Sequence, residues 1–305
     1  MRKESKNTEG IVTFLPGLKL HFSCASADVK LVPLGSSLFN DSLTEGNQSF
    51  HVSYSTAESV DTSGFSRALS GESFPGAEIP YTWTILRKDH QVGIHIDFDD
   101  DLQLEEVFGV IDFSQNRISA ALVPGNGVQE ISIDPLFQPF GSVLMVVLAH
   151  YQDDVLVHAS GVLEKGVGRL FTAVSGTGKS TMAGIWKSDG ATVINDDRLW
   201  LRKIGDRWYM FNTPMPYYAQ KPLMAPLNEI FLIRQSPDNE VSKLAGINAA
   251  MRFMANGIQH FYDKEMTGRH LDRILDIASQ VSIYDCGFRP TKEVAEIIRG
   301  IVDRE

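Results

Sequence analysis

The sequence has few cysteines, no excess of positive charge and no long hydrophobic run. Its two cysteines, Cys24 and Cys286, are far apart and lack metal-ligand spacing, so we expect reduced thiols and a cytoplasmic protein. The 28 Lys and Arg residues against 38 Asp and Glu give a net charge of −10, which argues against nucleic acid or an anionic membrane as a partner. The longest apolar run, Val143–Ala149, is far shorter than the roughly 18 residues that a membrane helix needs.

Several familiar catalytic and metal-binding patterns are also missing. The sequence has no G-x-S-x-G, no H-E-x-x-H and no paired C-x-x-C. The acidic run DFDDD begins at Asp97 like a calcium-binding loop, but Leu102 and Phe108 occupy the places that require glycine and glutamate. We therefore expect this run to be a solvated strand end and not a calcium-binding loop.

The first part of the chain has the periodicity of β-strands. From Ile11 to Ile133, apolar and polar residues alternate between turn signals, as they do over Val92–Phe98, and no helical pattern of useful length occurs. The stretch from Ser55 to Gly76 is rich in serine and glycine and is poorly patterned. We predict a β-rich N-terminal domain over residues 1–134.

The second part of the chain mixes strands and helices, so we predict an α/β domain over residues 135–305. An apolar segment of helix length follows Pro135 and Pro139, and two strands joined by a short hairpin come next. The further predicted elements are a helix at 179–190, a strand at 191–197, a hairpin turning at Gly205 and Asp206, strands at 226–235 and 280–288, and helices at 245–262, 270–280 and 291–303.

The stretch LFTAVSGTGKSTMAGIW, from Leu170 to Trp186, resembles a phosphate-binding loop. The pattern G-x-x-x-x-G-K-[ST] is complete except that Ala173 stands at its first glycine, where a methyl group fits if the backbone φ is negative. A structural turn with a surface lysine is the alternative, but a strand before the loop and a helix after it favour nucleotide binding. The predicted nucleotide-binding residues are Ser175, Gly176, Thr177, Gly178, Lys179, Ser180 and Thr181.

Two carboxylates and a histidine accompany this loop. Asp196 and Asp197 end the next strand, and a parallel neighbouring strand would bring them beside Ser180. A polar strand end is the alternative interpretation of these aspartates. His158 lies in the strand before the loop; by spacing alone it is more typical of a packed or surface residue, and Ser160 is a weaker candidate still.

With these residues in view, the segment from His158 to Asp197 resembles the catalytic domain of HPr kinase/phosphorylase and its relatives. Those proteins share a fold with ATP-dependent phosphoenolpyruvate carboxykinase. The resemblance implies an α/β fold in which a phosphoenolpyruvate carboxykinase-like P-loop kinase domain follows a smaller β-rich domain. It also implies that Lys179 and the loop backbone hold the triphosphate of ATP or another nucleoside triphosphate.

The same resemblance implies roles for the other side chains. Ser180 and one aspartate, Asp196 in our assignment, would bind Mg²⁺, and the other aspartate would orient or deprotonate the attacking hydroxyl. His158 would lie near the γ-phosphate. The arginine- and glycine-rich signature of true HPr kinases is replaced by YMFNTPMPYYAQKP, so we do not expect recognition of HPr itself.

The predicted function is ATP- and Mg²⁺-dependent transfer of the γ-phosphoryl group to a hydroxyl. The catalytic candidates are Asp196, Asp197, His158 and Lys179. The acceptor is unidentified: a protein, for example at a serine, a peptide or a small molecule. A regulatory nucleotide-binding module without transfer is the alternative from another class, and a carboxykinase-like enzyme is a third. The oligomeric state stays open.

Overall fold

The computed structural model describes residues 10–73, 77–99, 103–217, 219–258 and 264–302. The chain is a mixed α/β protein with several sheets, which confirms the predicted α/β class. It divides into two compact units, Met1–Met145 with Pro214–Lys221, and Val146–Thr213 with Pro222–Glu305. The boundary after residue 134 stays a prediction. Asp100 and Asp101 of the acidic run, Leu102 after it, and residues 259–262 of one predicted helix lie outside the described ranges.

The first unit is built on an eight-stranded sheet in the order β1-β2-β4-β9-β8-β7-β6-β5, with β3 and β10 paired separately. Strand β2 pairs in parallel with β4, and β4 with β9, while the other neighbours are antiparallel. The strands are β1 Ile11–Leu15, β2 Leu18–Cys24, β3 Val29–Leu31, β4 Gln48–Thr56, β5 Ser66–Glu72, β6 Tyr81–Lys88, β7 Gln91–Phe98, β8 Leu104–Asp112, β9 Arg117–Pro124 and β10 Ile131–Ile133.

The alternation seen in the sequence places one face of these strands in the core. On β7, the apolar residues Val92, Ile94, Ile96 and Phe98 are all buried. Strand β5 lies inside the poorly patterned stretch from Ser55 to Gly76, and the sequence analysis did not identify it as a strand. A register shift between Arg67 and Leu69 breaks the alternation of this edge strand, which pairs with β6, so the two-residue period is lost.

The second unit is built on a nine-stranded sheet in the order β16-β15-β14-β11-β12-β17-β19-β18, with β13 paired to β11. Its strands are β11 Val155–Glu164, β12 Val167–Thr172, β13 Thr192–Asn195, β14 Arg198–Ile204, β15 Arg207–Asn212, β16 Met224–Pro226, β17 Glu229–Gln235, β18 Glu240–Leu244 and β19 Ser282–Phe288. Strands β12, β17 and β19 are parallel neighbours, so their carboxyl ends meet at one edge of the sheet.

The helices fall in the segments predicted to be helical, but α3 ends before the predicted residue 262 and α4 begins before the predicted residue 270. They are α1 Phe140–Tyr151, α2 Lys179–Ser188, α3 Gly246–Met254, α4 Lys264–Gln280 and α5 Glu293–Val302. Helix α2 stops where Gly190, at a φ of 93°, was expected to end it. Among the described helices, none combines the length and the apolar character that spanning a membrane requires.

Two hydrophobic clusters cover the two faces of the second sheet. Leu170 belongs to a cluster with residues of α3 and α4, whereas the next residue, Phe171, belongs to a cluster with residues of α2 and α5. Because successive side chains of a strand point to opposite faces, α2 and α5 lie on one face and α3 and α4 on the other. The hairpin between β11 and β12 turns at Lys165 and Gly166, both at positive φ, as the sequence indicated.

Candidate functional site

The glycine loop, residues 173–178, joins the carboxyl end of β12 to the first turn of α2. Gly176 and Gly178 have φ values of 78° and 116°, which favour glycine. No side chain caps the start of α2, where Gly178 is the capping residue, so the first N–H groups of this helix are available as donors. A Cβ atom built on Gly176 would have no neighbour within 4 Å, so the loop borders open space.

Ala173 fits its place at the first glycine of the pattern without strain. It is not among the residues with positive φ, and its half-buried side chain packs against the cluster that contains Phe171 and Trp186. The methyl group therefore contributes packing, and the left-handed conformations that need glycine begin only at Gly176.

Lys179 is the first residue of α2, and its ammonium group lies inside the glycine loop. Its Nζ donates to the carbonyl oxygens of Ala173 at 2.9 Å and Val174 at 3.2 Å. Burial lowers the pKa of Lys179, and the charge of Asp197 opposes that shift. Since an ammonium group has three N–H donors, two contacts leave one donor for a phosphate oxygen.

The two aspartates follow β13 in a turn held by Asn195. The Asn195 Oδ1 accepts hydrogen bonds from the N–H groups of Asp197 at 2.8 Å and Arg198 at 2.9 Å. This buried amide fixes where the chain turns from β13 into β14, a role that the sequence interpretation missed. The signal was present, because an asparagine at the end of an apolar strand commonly accepts from the backbone two residues on.

The aspartates lie beside the start of α2, although not through the predicted pairing. The Ser180 hydroxyl lies 3.5 Å from the carbonyl oxygen of Asp196. The expectation that β13 is a neighbour of the loop strand needs correction. Strand β11 separates them: β12 and β13 are both antiparallel to β11 and flank it, so they run parallel to each other one strand apart.

His158 faces Asp197 next to the loop. Its Nε2 lies 3.8 Å from the Asp197 Oδ1, a distance longer than a hydrogen bond. Burial, followed by the charge of Lys179, lowers the pKa of His158, and the charge of Asp197 opposes this shift, so the neutral form of the imidazole is favoured. The backbone fixes this position, because the Thr172 hydroxyl donates to the His158 carbonyl at 2.9 Å.

The remaining sequence candidates have structural contacts or lie at the surface. The buried Ser160 hydroxyl donates to the Lys179 carbonyl at 2.9 Å and so ties β11 to the start of α2. The Thr177 hydroxyl donates within the loop to the Val174 carbonyl at 2.9 Å. Ser175 and Thr181 are exposed.

Two openings adjoin the glycine loop on the side of β17 and β19. A cavity of about 650 Å³ lies between the loop and α3, and its charged lining residues are Arg234 and Arg252. A cleft of about 520 Å³ lies between residues 235–237 and 288–290 and is also lined by Thr177, Gly178 and Thr181. Both are within the size range of sites for small organic ligands.

The two arginines of the larger cavity share one carboxylate partner, Asp285. Arg234 Nε donates to Asp285 Oδ1 at 3.0 Å, and Arg252 donates to the other carboxylate oxygen. Burial would raise the pKa of Asp285, but these hydrogen bonds and charges outweigh it and hold the pKa below its ordinary value. Arg234 also contacts Glu240 at 2.5 Å. This cavity therefore has a balanced network, not an excess of positive charge.

The donor set beside α2 fits a magnesium–nucleotide complex. In the part of the chain that the structure describes, no group of three or more His, Cys, Asp and Glu side chains could hold a metal by itself. Mg²⁺ bound with nucleotide phosphates needs only one or two protein oxygens besides water. Ser180 carries a hydroxyl and Asp196 a carboxylate of this kind, and the two residues meet where the Ser180 hydroxyl lies 3.5 Å from the Asp196 backbone carbonyl.

Comparisons with known proteins give distant similarity to solved structures. No protein-family profile and no curated protein matches the chain. An HPr(Ser) kinase/phosphatase from Coxiella burnetii is similar at 10% sequence identity and a TM-score of 0.29, over 49% of this chain and 94% of that protein. A similarity at this TM-score carries no argument about function, which rests on the residues of the site.

Proposed function

We propose that this protein is an ATP- and Mg²⁺-dependent phosphotransferase that moves the terminal phosphoryl group of the nucleotide to a hydroxyl. The site belongs to a phosphoenolpyruvate carboxykinase-like P-loop domain that follows a β-rich domain. The observation that carries the proposal is the meeting of the His158–Asp197 pair with Lys179 and Ser180 at the start of α2. Binding alone needs the loop and the lysine, but it does not need this second carboxylate with a neutral imidazole.

Binding of the triphosphate depends on the backbone of the glycine loop and on one ammonium group. The N–H groups from Gly176 to Ser180 turn around the start of α2, whose dipole favours an anion there. Lys179 adds a positive charge that already lies inside the loop. A hydrogen bond to a charged group contributes about 1.5–3 kcal/mol, so the loss of Lys179 should weaken nucleotide binding strongly.

The metal has a defined place in this scheme. Bound Mg²⁺ neutralises charge on the phosphate oxygens during transfer. In our assignment, the Ser180 hydroxyl and the Asp196 carboxylate would hold it.

The transfer step is assigned to Asp197. Asp197 accepts the proton of the acceptor hydroxyl while the hydroxyl oxygen forms a bond to the terminal phosphorus. The bond from that phosphorus to the bridging oxygen breaks, and the nucleoside diphosphate leaves with the electron pair. The lowered pKa of His158 favours a neutral imidazole, which can form a hydrogen bond with the acceptor hydroxyl or the phosphoryl oxygens. A neutral imidazole adds no second positive charge beside Lys179.

The experiment is transfer of label from γ-labelled ATP with Mg²⁺ to a lysate and to a metabolite pool, together with equilibrium binding of ATP. We expect native protein to label an acceptor, and Asp197→Asn to bind ATP equally but to label nothing. Free phosphate as the sole labelled product would overturn the transferase assignment. Nucleotide binding without any labelled product would instead identify a regulatory module.

A further inference from the structure

We propose that the cleft between residues 235–237 and 288–290 holds the nucleoside of the bound nucleotide, with Arg289 covering the base. This inference rests on the proposed function, because it takes the phosphates to lie in the glycine loop. The nucleoside is the part of the nucleotide that the glycine loop does not contact, and the residues of the cleft would recognise it.

The position of the cleft relative to the reacting groups is the first reason. His158 and Ser160 alternate with Val157 and Ala159, which pack in the α3 and α4 cluster, so His158 points to the α2 face of the sheet. Because the proposed transfer takes place at His158 and Asp197, the terminal phosphate lies next to them, on the β11 side of the glycine loop. A nucleotide that extends across the loop therefore leaves it on the opposite side, toward β17 and β19.

The cleft begins where such a nucleotide would emerge. It is lined by Gly178 and Thr181 of the α2 start, and the ring of Phe288 lies so close that a Cβ on Gly178 would be 2.9 Å from it. Three strand spacings separate β11 from β19, about 14 Å at the usual distance between strands. That span is comparable to the length of an extended nucleoside triphosphate.

The walls of the cleft suit a planar heterocycle. Pro237 and Pro290 are exposed apolar residues on its two sides, and Arg289 is exposed at the same turn. The Arg289 guanidinium is held by Glu293 at 2.7 Å, and a planar guanidinium stacks on aromatic faces. A purine between the two turns would contact apolar carbon on its edges and the guanidinium on one face.

The two walls are tied to each other, so the cleft is formed before a ligand binds. The N–H of Ser236 donates to the Phe288 carbonyl at 3.0 Å, and the N–H of Arg289 donates to the Asn239 Oδ1 at 3.0 Å. A preformed cleft does not spend binding free energy on ordering its walls.

The larger cavity beside α3 is the competing location. It also touches the glycine loop, but it lies on the Leu232 side of the sheet, the face opposite α2, and it is not lined by Gly178 or Thr181. Its arginines are engaged with Asp285. A nucleotide with its nucleoside in this cavity would have to extend from the glycine loop in the direction away from the first turn of α2.

The test compares ADP with pyrophosphate, which shares the phosphates but lacks the nucleoside, by calorimetric titration of the whole protein with Mg²⁺. We expect Arg289→Ala to weaken ADP binding about 5- to 20-fold and to leave pyrophosphate within about twofold, as expected for a lost cation–π contact. Thr181→Phe, which places a ring in the cleft, should weaken ADP binding more than pyrophosphate binding. Arg207→Ala, at an exposed hairpin arginine, is the matched control and should change neither.

The outcomes separate this inference from the proposed function. If Arg289→Ala and Thr181→Phe bind ADP like native protein, or if Arg252→Ala alone selectively weakens ADP, the nucleoside lies elsewhere and the inference is overturned. If neither ADP nor pyrophosphate binds native protein, or if Lys179→Ala changes neither affinity, the loop is not a phosphate site and the proposed function fails as well.

Discussion

Two aspartates on opposite sides of the glycine loop differ in what surrounds them. Asp285, on β19, is engaged by Arg234 and Arg252, which hold its pKa below the ordinary value. Asp197, after β13, faces His158 at 3.8 Å and interacts electrostatically with Lys179. A carboxylate fixed by two guanidinium groups is suited to holding elements together, whereas one beside an imidazole and the proposed phosphate site is suited to the proton-accepting role that we propose for it.

The largest expected effect is on transfer by Asp197→Asn. Removing the proton acceptor should lower the rate of phosphoryl transfer about 10²- to 10⁴-fold, while the dissociation constant for ATP stays within about twofold. Single-turnover transfer and equilibrium binding give the two numbers. Asp206→Asn, at the hairpin turn between β14 and β15, is the matched control. Equal losses of binding and transfer would contradict the role of Asp197.

Lys179→Ala should act on binding. The loss of a charge-assisted hydrogen bond to phosphate predicts about 10- to 100-fold weaker ATP binding. Lys187→Ala removes an exposed lysine from the same helix and should leave the affinity unchanged. Circular dichroism of both variants checks that α2 is intact. An unchanged ATP affinity in folded Lys179→Ala would place the nucleotide elsewhere.

Asp285→Asn should act on stability and spare the chemistry. Both arginine partners are more than a third exposed, so solvent screening limits the expected loss to about 1 kcal/mol in the free energy of unfolding. Urea denaturation measures this loss, and the transfer rate should stay within about twofold of native. A fall in the transfer rate comparable to that of Asp197→Asn would contradict the claim that Asp285 acts on stability alone.

The smallest effect is expected from Ala173→Gly, which restores the glycine of the pattern. Because Ala173 does not occupy the left-handed region, the substitution should leave ATP affinity within about twofold. It should lower the free energy of unfolding by about 0.5–1 kcal/mol through the added freedom of the unfolded chain. A large gain in affinity would show that the alanine impairs the loop.

Local features of the site could be predicted from the sequence. The hairpin at Lys165 and Gly166, the two glycines of the loop and the start of α2 all follow from short-range rules about φ, turn residues and helix ends. The order of strand, loop, helix and strand follows from the apolar runs between them. The meeting of Ser180 with Asp196 was expected from that order.

Long-range pairing could not be predicted in the same way. The choice of β11 as the partner of β13 depends on packing across the whole sheet, so the expectation that β13 is a direct neighbour of β12 was wrong. The contact of Arg252 with Asp285 joins residues 33 positions apart, on a helix and a strand whose relative placement no local pattern encodes. Strand β5 was missed because its bulge removes the alternation that identifies strands.

The most direct measurement is single-turnover transfer of the γ-phosphoryl group, alongside ATP binding, on native protein, Asp197→Asn and Asp285→Asn under identical conditions. We expect all three proteins to bind ATP with similar affinity, native and Asp285→Asn to transfer at similar rates, and Asp197→Asn to transfer at least about 10²-fold more slowly. Transfer by Asp197→Asn at the native rate, or its loss in Asp285→Asn alone, would contradict the assignment of the chemistry to the His158–Asp197 side of the loop.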